Sequence, residues 1–225
     1  MITILFDIDG TLIRSGGAGL NAIAQTMKEM FGLNSISKVE VHGRTDNGIL
    51  SDLFEAESLS FDEHREDFSR RYWELLPEAL ENGQGRMLPG VKPLLEKIHG
   101  LDNVATGILT GNAERAAEIK LRHFQLDAYF KFGGYGDFNS CRNEVAALAK
   151  NAAEQHLNGK FDSDQLWVVG DTVNDIACAR SIGSRVIAVE TGGCKPELLE
   201  QAKPDYQFAD LSDVGPFLDA IGTAS

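Results

Sequence analysis

Apolar residues occur along this chain in short continuous runs, with little alternation between apolar and polar positions. Runs of this kind are typical of strands that are covered on both faces. The predicted strands are residues 3–6, 104–110, 128–132, 165–170, 185–190 and 206–209. Helical patterns lie between them, at residues 112–126, 142–157, 173–183 and 195–202. Strands and helices that take turns along the chain indicate a parallel sheet, so we expect an α/β fold with a three-layer, Rossmann-like core.

One interval interrupts this order, because residues 14–88 show helical patterns and no strong strand. The helical patterns cover residues 20–33, 46–57 and 61–81. Glycines at 16, 17 and 19 begin the interval and the sequence LPG at 88–90 ends it, so both borders have the composition of hinges. We therefore predict an all-helical cap domain at residues 14–88, inserted into an α/β core domain made of residues 1–13 and 89–225.

The composition narrows the possible partners. With 43% hydrophobic and 24% charged residues, the 225-residue chain is typical of a folded globular protein. Its net charge of −13 argues against nucleic acid or an anionic membrane as a partner. The N-terminus lacks the basic segment of a signal peptide, and three cysteines without a C-x-x-C pair fit a reducing compartment. We expect a cytoplasmic protein, either a monomer or a homodimer.

Polar side chains collect where three of the predicted strands end. Asp7 and Asp9 follow the first strand, Thr110 ends the second, and Asp171 and Asp175 follow the fourth. Since the carboxyl ends of parallel strands share one edge of the sheet, these side chains should lie together. Carboxylates at such short range raise one another's pKa unless a cation neutralises them. Mg²⁺ takes oxygen ligands and leaves room for substrate phosphate, so the pattern predicts a magnesium site.

The spacing of the first two acids suggests a division of labour. Residues i and i+2 of extended chain point to the same side, so Asp7 and Asp9 can face one reacting centre. One carboxylate could attack while its neighbour gives or takes a proton. A lone D-x-D-G-T is also an ordinary turn after a strand. The matching strand ends further along the chain favour the catalytic interpretation.

Three stretches resemble motifs of the haloacid dehalogenase (HAD) superfamily of Mg²⁺-dependent phosphohydrolases, and in particular its capped members similar to phosphoglycolate phosphatase. They are DIDGTL (7–12), ILTGN (108–112) and GDTVNDIACAR (170–180). The resemblance covers the whole chain, including the helical insert after the first motif. It implies that Asp7 is the nucleophile, that Asp9 is the general acid and base, and that Thr110 donates a hydrogen bond to the phosphate.

The resemblance also implies how the metal and the phosphate are held. The Mg²⁺ ligands would be Asp7, the backbone carbonyl of Asp9, and Asp171, with Asp175 supporting the metal site. Thr11 would steady the loop that carries both acids. The backbone N–H groups of Gly111 and Asn112, at the start of the next helix, would bind the phosphate.

The remaining motif departs from the family pattern. Family members usually carry a lysine that pairs with the phosphate and the nucleophile, whereas GDFNSCRNEVAALA (136–149) offers Arg142. Arginine keeps the positive charge and can bind phosphate in a bidentate way, so Arg142 is the candidate. Lys150 is the alternative. Arg142 could also be a solvated residue at a helix start.

In the insert, the segment VHGRTDNGIL (41–50) is a polar turn that begins a helix, and similar capped members use such a segment to face the substrate. Arg44 and Asp46 are therefore candidates for contacting the leaving group. The alternative is an ordinary turn in which Asp46 caps its own helix.

The sequence thus predicts a phosphomonoesterase that acts on a small phosphorylated metabolite through an aspartyl-phosphate. Dehalogenases of this superfamily lack the second acid of the first motif, which is present here as Asp9. A sugar phosphomutase stays open as an alternative, although such enzymes typically carry a histidine where this chain has Gly19. A non-catalytic protein that binds phosphate or a partner is the second alternative.

Overall fold

The computed structural model describes residues 1–223. Its strands are β1 Ile2–Phe6, β2 Ile13–Arg14, β3 Arg86–Met87, β4 Val104–Leu109, β5 Gly133–Gly134, β6 Leu166–Gly170, β7 Arg185–Val189 and β8 Tyr206–Phe208. Its α-helices are α1 Ala18–Phe31, α2 Asp46–Ala56, α3 Phe61–Asn82, α4 Val91–His99, α5 Glu114–His123, α6 Arg142–Leu157, α7 Val173–Ser181, α8 Pro196–Gln201 and α9 Val214–Ala220.

Six of the strands form one parallel sheet in the order β5-β4-β1-β6-β7-β8, which confirms the predicted α/β fold. The first strand lies in the interior of the sheet, with Phe6 beside Ile108 of β4 and Val169 of β6. The loops that follow β1, β4 and β6 therefore emerge side by side at one edge. This topology brings the predicted site residues together.

Both faces of the sheet are buried, and alternate strand residues supply the two cores. On one face, Ile4, Phe6 and Trp167 pack with α4 and α9. On the other face, Leu5 and Val168 pack with α6 and α7. Strands covered in this way have no polar face, which explains their continuous apolar sequence. The core thus has the three predicted layers.

The insert between β1 and α4 contains the helices α1, α2 and α3, which share a hydrophobic cluster of their own. Phe54 and Phe68 lie at its centre, fully buried and edge to face. The cluster extends onto the core through Ala113 and Ala116, which lie at the start of α5 and within it. The insert therefore packs on the core over the helix that follows β4. The exact division at residues 14–88 stays a prediction.

The short strands β2 and β3 lie at the two borders of the insert and pair antiparallel, Ile13 with Met87 and Arg14 with Arg86. The prediction described these borders as hinges without strand structure. Two residues per strand give too short an apolar pattern to be recognised in the sequence. The pairing ties the chain leaving the core to the chain returning to it.

The prediction of a strand at 128–132 was wrong. Residues Asp127–Tyr129 form a 3₁₀ turn, and the edge strand is the glycine pair Gly133–Gly134. A side chain on Gly134 would lie 2.4 Å from the Val145 carbonyl oxygen, because α6 packs directly on this strand. The side chains of Tyr129, Phe130 and Phe132 pack into the cores. The hydrogen bonds to β4 are accepted by the carbonyls of Phe132 and Gly134. The prediction also missed helices α4 and α9.

Among the residues that the structure describes, no helix is both long enough and apolar enough to cross a membrane.

Candidate active site

A cavity of about 290 Å³ lies between the insert and the ends of β1, β4 and β6. The predicted site residues line its wall, with the exception of Thr11 and Asp175, which are buried directly behind it. The lining residues among them are Asp7, Asp9, Arg44, Asp46, Thr110, Gly111, Asn112, Arg142 and Asp171. The structure therefore brings together the loops that the strand-end pattern pointed to.

Three buried carboxylates, Asp7, Asp171 and Asp175, form an acid cluster whose oxygens lie within 4.8 Å of one another. Burial, together with the neighbouring carboxylates, raises the pKa of Asp7 to about 7 and that of Asp171 to about 8. An all-oxygen donor set of this kind, crowded and poorly neutralised, fits a hard divalent cation such as Mg²⁺.

Within the acid cluster, Asp175 has the role of a support. Its Oδ2 accepts from the Thr172 hydroxyl at 2.6 Å, from the Thr172 backbone N–H at 2.9 Å and from the Asp171 N–H at 3.2 Å. Its Oδ1 accepts from Arg142. Both oxygens are thus already engaged, and the reciprocal bonds with Thr172 form a capping box at the start of α7. Asp7 and Asp171 are better placed as direct metal ligands.

Arg142 supplies the positive charge beside the acid cluster. Its guanidinium pairs with Asp175 and lies 3.5 Å from Asp7 Oδ1, with 8% of the side chain exposed. Burial opposes its charge, but Asp175 and Asp7 outweigh burial and raise the pKa of the guanidinium, so Arg142 stays protonated. Lys150 instead donates to the Ile182 carbonyl at 3.2 Å and does not line the cavity.

A second buried cation, Lys120, was missed in the sequence analysis. Its ammonium lies 2.6 Å from Asp9 Oδ2 and 2.6 Å from Asn112 Oδ1, with 6% of the side chain exposed. The signal was its position in α5, four residues after the buried Ala116 and next to the buried Leu121. A lysine within the apolar stripe of a helix that follows a site loop needs a partner for its charge.

Asp9 belongs to a different environment from Asp7. Its Oδ2 accepts from both Lys120 and the Asn112 side-chain amide, at 2.6 and 2.8 Å. Burial opposes ionisation of Asp9, but the Lys120 charge and these hydrogen bonds outweigh burial and lower its pKa. We call Asp9, Asn112 and Lys120 the lysine network. Thr110 joins it, because its hydroxyl accepts from the Asn112 amide at 2.8 Å.

The loop after β4 differs from its prediction. Helix α5 begins at Glu114, not at residue 112, and the N–H groups of Ala113 and Glu114 donate to Asp46 and Asp137, each at 2.9 Å. The Asn112 N–H lies 3.3 Å from the Thr110 hydroxyl. Carboxylates thus occupy the positive end of this helix, where a phosphate was expected. Gly111 keeps its place in the cavity wall.

Glycine is required at two points of the site by close approach. At Gly10, φ is +91°, and an added Cβ would lie 2.5 Å from an Asp171 carboxylate oxygen. At Gly111, a Cβ would lie 2.0 Å from the Arg44 carbonyl oxygen. The first glycine lets the loop after β1 pass the acid cluster, and the second lets the insert approach the core. Thr11 steadies the same loop by donating to Asp171 Oδ1 at 3.2 Å.

From the segment around the start of α2, the insert contributes to the cavity Val41, His42, Gly43, Arg44, Asp46 and Ile49. Asp46 does not cap its own helix: Thr45 does, with its hydroxyl accepting from the Gly48 N–H at 3.1 Å. Asp46 bonds to the core twice, through its N–H to the Gly111 carbonyl at 2.7 Å and through its carboxylate to Ala113. Burial raises the pKa of Asp46 to about 6. Arg44 lines the cavity but pairs with Asp52.

Comparison with known proteins identifies the family of the chain. Residues 1–183 match the family model of haloacid dehalogenase-like hydrolases. The chain is 26% identical over 215 residues to a protein named putative pyrophosphatase PpaX from Caldanaerobacter subterraneus, covering 92% of this chain and 90% of the relative. It is 27% identical over 235 residues to the phosphoglycolate phosphatase of Photorhabdus laumondii, covering 99% and 93%.

Among solved structures, the crystal structure of CbbY from Rhodobacter sphaeroides in complex with phosphate superposes with a TM-score of 0.73. The two chains are 18% identical, and the match covers 96% of this chain and 97% of the other. At this level of identity the similarity shows the fold alone.

Proposed function

The chain belongs to the haloacid dehalogenase-like hydrolase family, and we propose that it is a Mg²⁺-dependent phosphatase that hydrolyses a small phosphomonoester through an aspartyl-phosphate. The observation that carries this proposal is the contrast between two acids of one loop. Asp7 lies in the acid cluster beside Arg142, and Asp9 lies in the lysine network. Arg142 and a bound metal would keep Asp7 ionised for attack, and Asp9, which lies outside the acid cluster, is left to exchange a proton with the leaving group and with water.

The acid cluster would hold the metal through Asp7, Asp171 and the Asp9 backbone carbonyl. Bound there, Mg²⁺ would neutralise the cluster and the substrate phosphate. The protein's own contribution on this side is Arg142, whose guanidinium already lies between Asp7 and Asp175. A cation beside the nucleophile lowers the repulsion between its carboxylate and an anionic phosphate.

In the first step, a carboxylate oxygen of Asp7 attacks phosphorus and the ester P–O bond breaks. Asp9 gives its proton to the departing alkoxide, so the leaving group departs as a neutral alcohol. The Thr110 hydroxyl and the Gly111 N–H would bind the phosphoryl oxygens, since both residues line the cavity. Bringing these groups to one centre is the positioning that such slow reactions need.

In the second step, water attacks phosphorus on the side that the alcohol has left. Asp9, now a carboxylate, takes a proton from the water, and the bond between Asp7 and phosphorus breaks to release inorganic phosphate. The insert shields this cavity from bulk water, because residues 41–48 are hydrogen-bonded to the core at Gly111 and Gly136.

The insert's side of the cavity favours a small leaving group without negative charge. Its wall consists largely of Leu20, Ile23, Val41, Ile49 and Tyr72, with the Asp46 carboxylate among them. Arg44, a cation of this wall, is paired with Asp52. An alcohol with apolar and hydroxyl groups suits such a wall better than a carboxylate or a second phosphate does.

The phosphomutase alternative is less well supported. Gly19 lines the cavity at the position where phosphomutases typically carry a histidine. Glycine has no side chain that could exchange a proton with a sugar. A non-catalytic role is disfavoured because the nucleophile, the proton carrier and the acid cluster all lie around one cavity.

The test is phosphate release from a panel of small phosphomonoesters, with Mg²⁺ and with EDTA, by the wild type and by Asp7→Asn. Phosphoglycolate and pyrophosphate belong in the panel because relatives are named for them. We expect turnover that needs Mg²⁺ and Asp7, and that is faster for uncharged leaving groups than for phosphoglycolate. Release that persists in EDTA or in Asp7→Asn would contradict the proposal.

A further inference from the structure

We propose that Lys120 is a positioning residue for the proposed reaction: it fixes the Asp9 carboxylate so that one particular oxygen, Oδ1, serves the leaving group. The inference rests on the proposed function, because it assigns Lys120 a part in the proton transfer that Asp9 performs there. Lys120 does not act on the ester itself in this account.

The geometry assigns the two oxygens of Asp9 different roles. Lys120 Nζ and Asn112 Nδ2 both donate to Oδ2, at 2.6 and 2.8 Å. Lys120 also donates to Asn112 Oδ1 at 2.6 Å, so the two donors hold each other in place. With both donors on Oδ2, Oδ1 is the oxygen left to face the leaving group. The carboxylate itself is 36% exposed to the cavity, so Oδ1 can meet an ester bound there.

Burying the Lys120 ammonium costs free energy, which close partners must offset. Its side chain is 6% exposed on a core helix, and an ammonium taken out of water is stabilised only by excellent partners. The acid cluster does not need it, because Arg142 already pairs with Asp7 and Asp175. The lysine is instead directed to the proton carrier, and small displacements of such a group cost much of the rate.

The test uses the dependence of the loss on the leaving group. An alkyl phosphate leaves as a basic alkoxide and needs the proton from Asp9, whereas p-nitrophenyl phosphate has a leaving group stable without it. We expect Lys120→Met to lower kcat for the alkyl ester about 100-fold and for p-nitrophenyl phosphate less than about 10-fold. A structural defect would lower both by the same factor.

A double-mutant cycle with Asp9 sharpens the test. If Lys120 acts through Asp9, then adding Lys120→Met to Asp9→Asn should change kcat less than about threefold. An equal loss in the wild-type and Asp9→Asn backgrounds would overturn the inference. The double variant removes both members of the ion pair and leaves no unpaired charge, so its comparison with Asp9→Asn remains a test if Lys120→Met alone does not fold.

Lys150→Met is the matched control, because this half-buried lysine lies on α6 and contacts the Ile182 carbonyl. It should leave both esters unaffected. A wild type that hydrolyses neither ester would overturn the proposed function together with this inference. An active wild type whose Lys120→Met variant shows equal losses on both esters would overturn the inference alone.

Discussion

The acid cluster and the lysine network lie on two sides of one cavity, and the contrast between them explains the site. Asp7 and Asp9 are separated by one residue, yet burial raises the pKa of Asp7 to about 7, whereas Lys120 and Asn112 lower that of Asp9. The difference comes from distant helices. Helix α6 brings Arg142 to an overcrowded group of acids, and α5 brings Lys120 to a single acid.

The spacing of the two acids therefore does not decide their roles. Each carboxylate takes its character from the charges that the fold places around it. The acid cluster holds more negative charge than Arg142 can neutralise, and so calls for a cation. The lysine network is balanced without one. The predictions below test whether these two environments act separately.

The largest effect should come from the acid cluster. We expect Asp171→Asn to lower phosphate release by about 10⁴-fold or more, because it would remove a proposed metal ligand beside the proposed nucleophile. Isothermal titration should show Mg²⁺ binding lost in parallel. Asp171→Asn that binds Mg²⁺ as tightly as the wild type would show that the metal lies elsewhere.

The lysine network should produce a smaller and more selective effect. We expect Asp9→Asn to lower kcat for alkyl phosphates by about 10²- to 10⁴-fold, the range typical of a lost general acid and base. Mg²⁺ affinity should change little, because the ligand expected from Asp9 is its backbone carbonyl. If Asp9→Asn abolishes Mg²⁺ binding, then the two sides of the cavity are not independent.

The raised pKa values in the acid cluster predict how Mg²⁺ affinity depends on pH. Asp7 and Asp171, with pKa values of about 7 and 8, are largely protonated below pH 7 and must lose protons to bind the metal. We expect the affinity to rise by about 100-fold or more between pH 6 and pH 8, measured by titration calorimetry in two buffers of different ionisation enthalpy. A Mg²⁺ affinity that does not change with pH, with no proton release on binding, would contradict the raised pKa values of Asp7 and Asp171.

The smallest expected effect lies at the contact between the insert and the core. Since burial raises the pKa of Asp46 to about 6, above its ordinary value, its ionised form costs stability at higher pH. Asp46→Asn keeps an oxygen acceptor for the Ala113 N–H and removes the charge. We expect Tm to rise by about 2–4 °C at pH 8, with the gain shrinking as the pH falls below 6.

Asp137→Asn is the control, because Asp137 accepts from the neighbouring Glu114 N–H at the same helix start. It should not raise Tm at pH 8. A fall in Tm for Asp46→Asn at pH 8 would mean that the charge of Asp46 stabilises this contact and that its burial does not dominate.

The acid cluster could be predicted from sequence because parallel strands impose it. A polar residue that ends an apolar run lies at a known edge of the sheet, so Asp7, Thr110 and Asp171 were located by counting strands. Arg142 followed from the family resemblance. The confirmed α/β fold rests on the same continuous apolar runs.

The lysine network could not be predicted in this way, because its cation lies in mid-helix and reaches the site through tertiary packing. The apolar stripe of α5 indicates that Lys120 is buried but not which acid it meets, because the insert's packing on Ala116 completes this side of the site. The contact of Asp46 with the core could not be predicted either, because its partner Ala113 lies 67 residues away. Contacts of this range depend on how the insert docks.

The most direct test of the account is to identify the atom that accepts the phosphoryl group. Asp9→Asn should slow the hydrolysis of the intermediate, so this variant is mixed with Mg²⁺ and p-nitrophenyl phosphate, quenched in acid and digested for mass spectrometry. The account predicts one added phosphoryl group on the peptide that contains residues 2–14, located on Asp7. An unmodified Asp7, while the same sample releases p-nitrophenol over several turnovers, would contradict it.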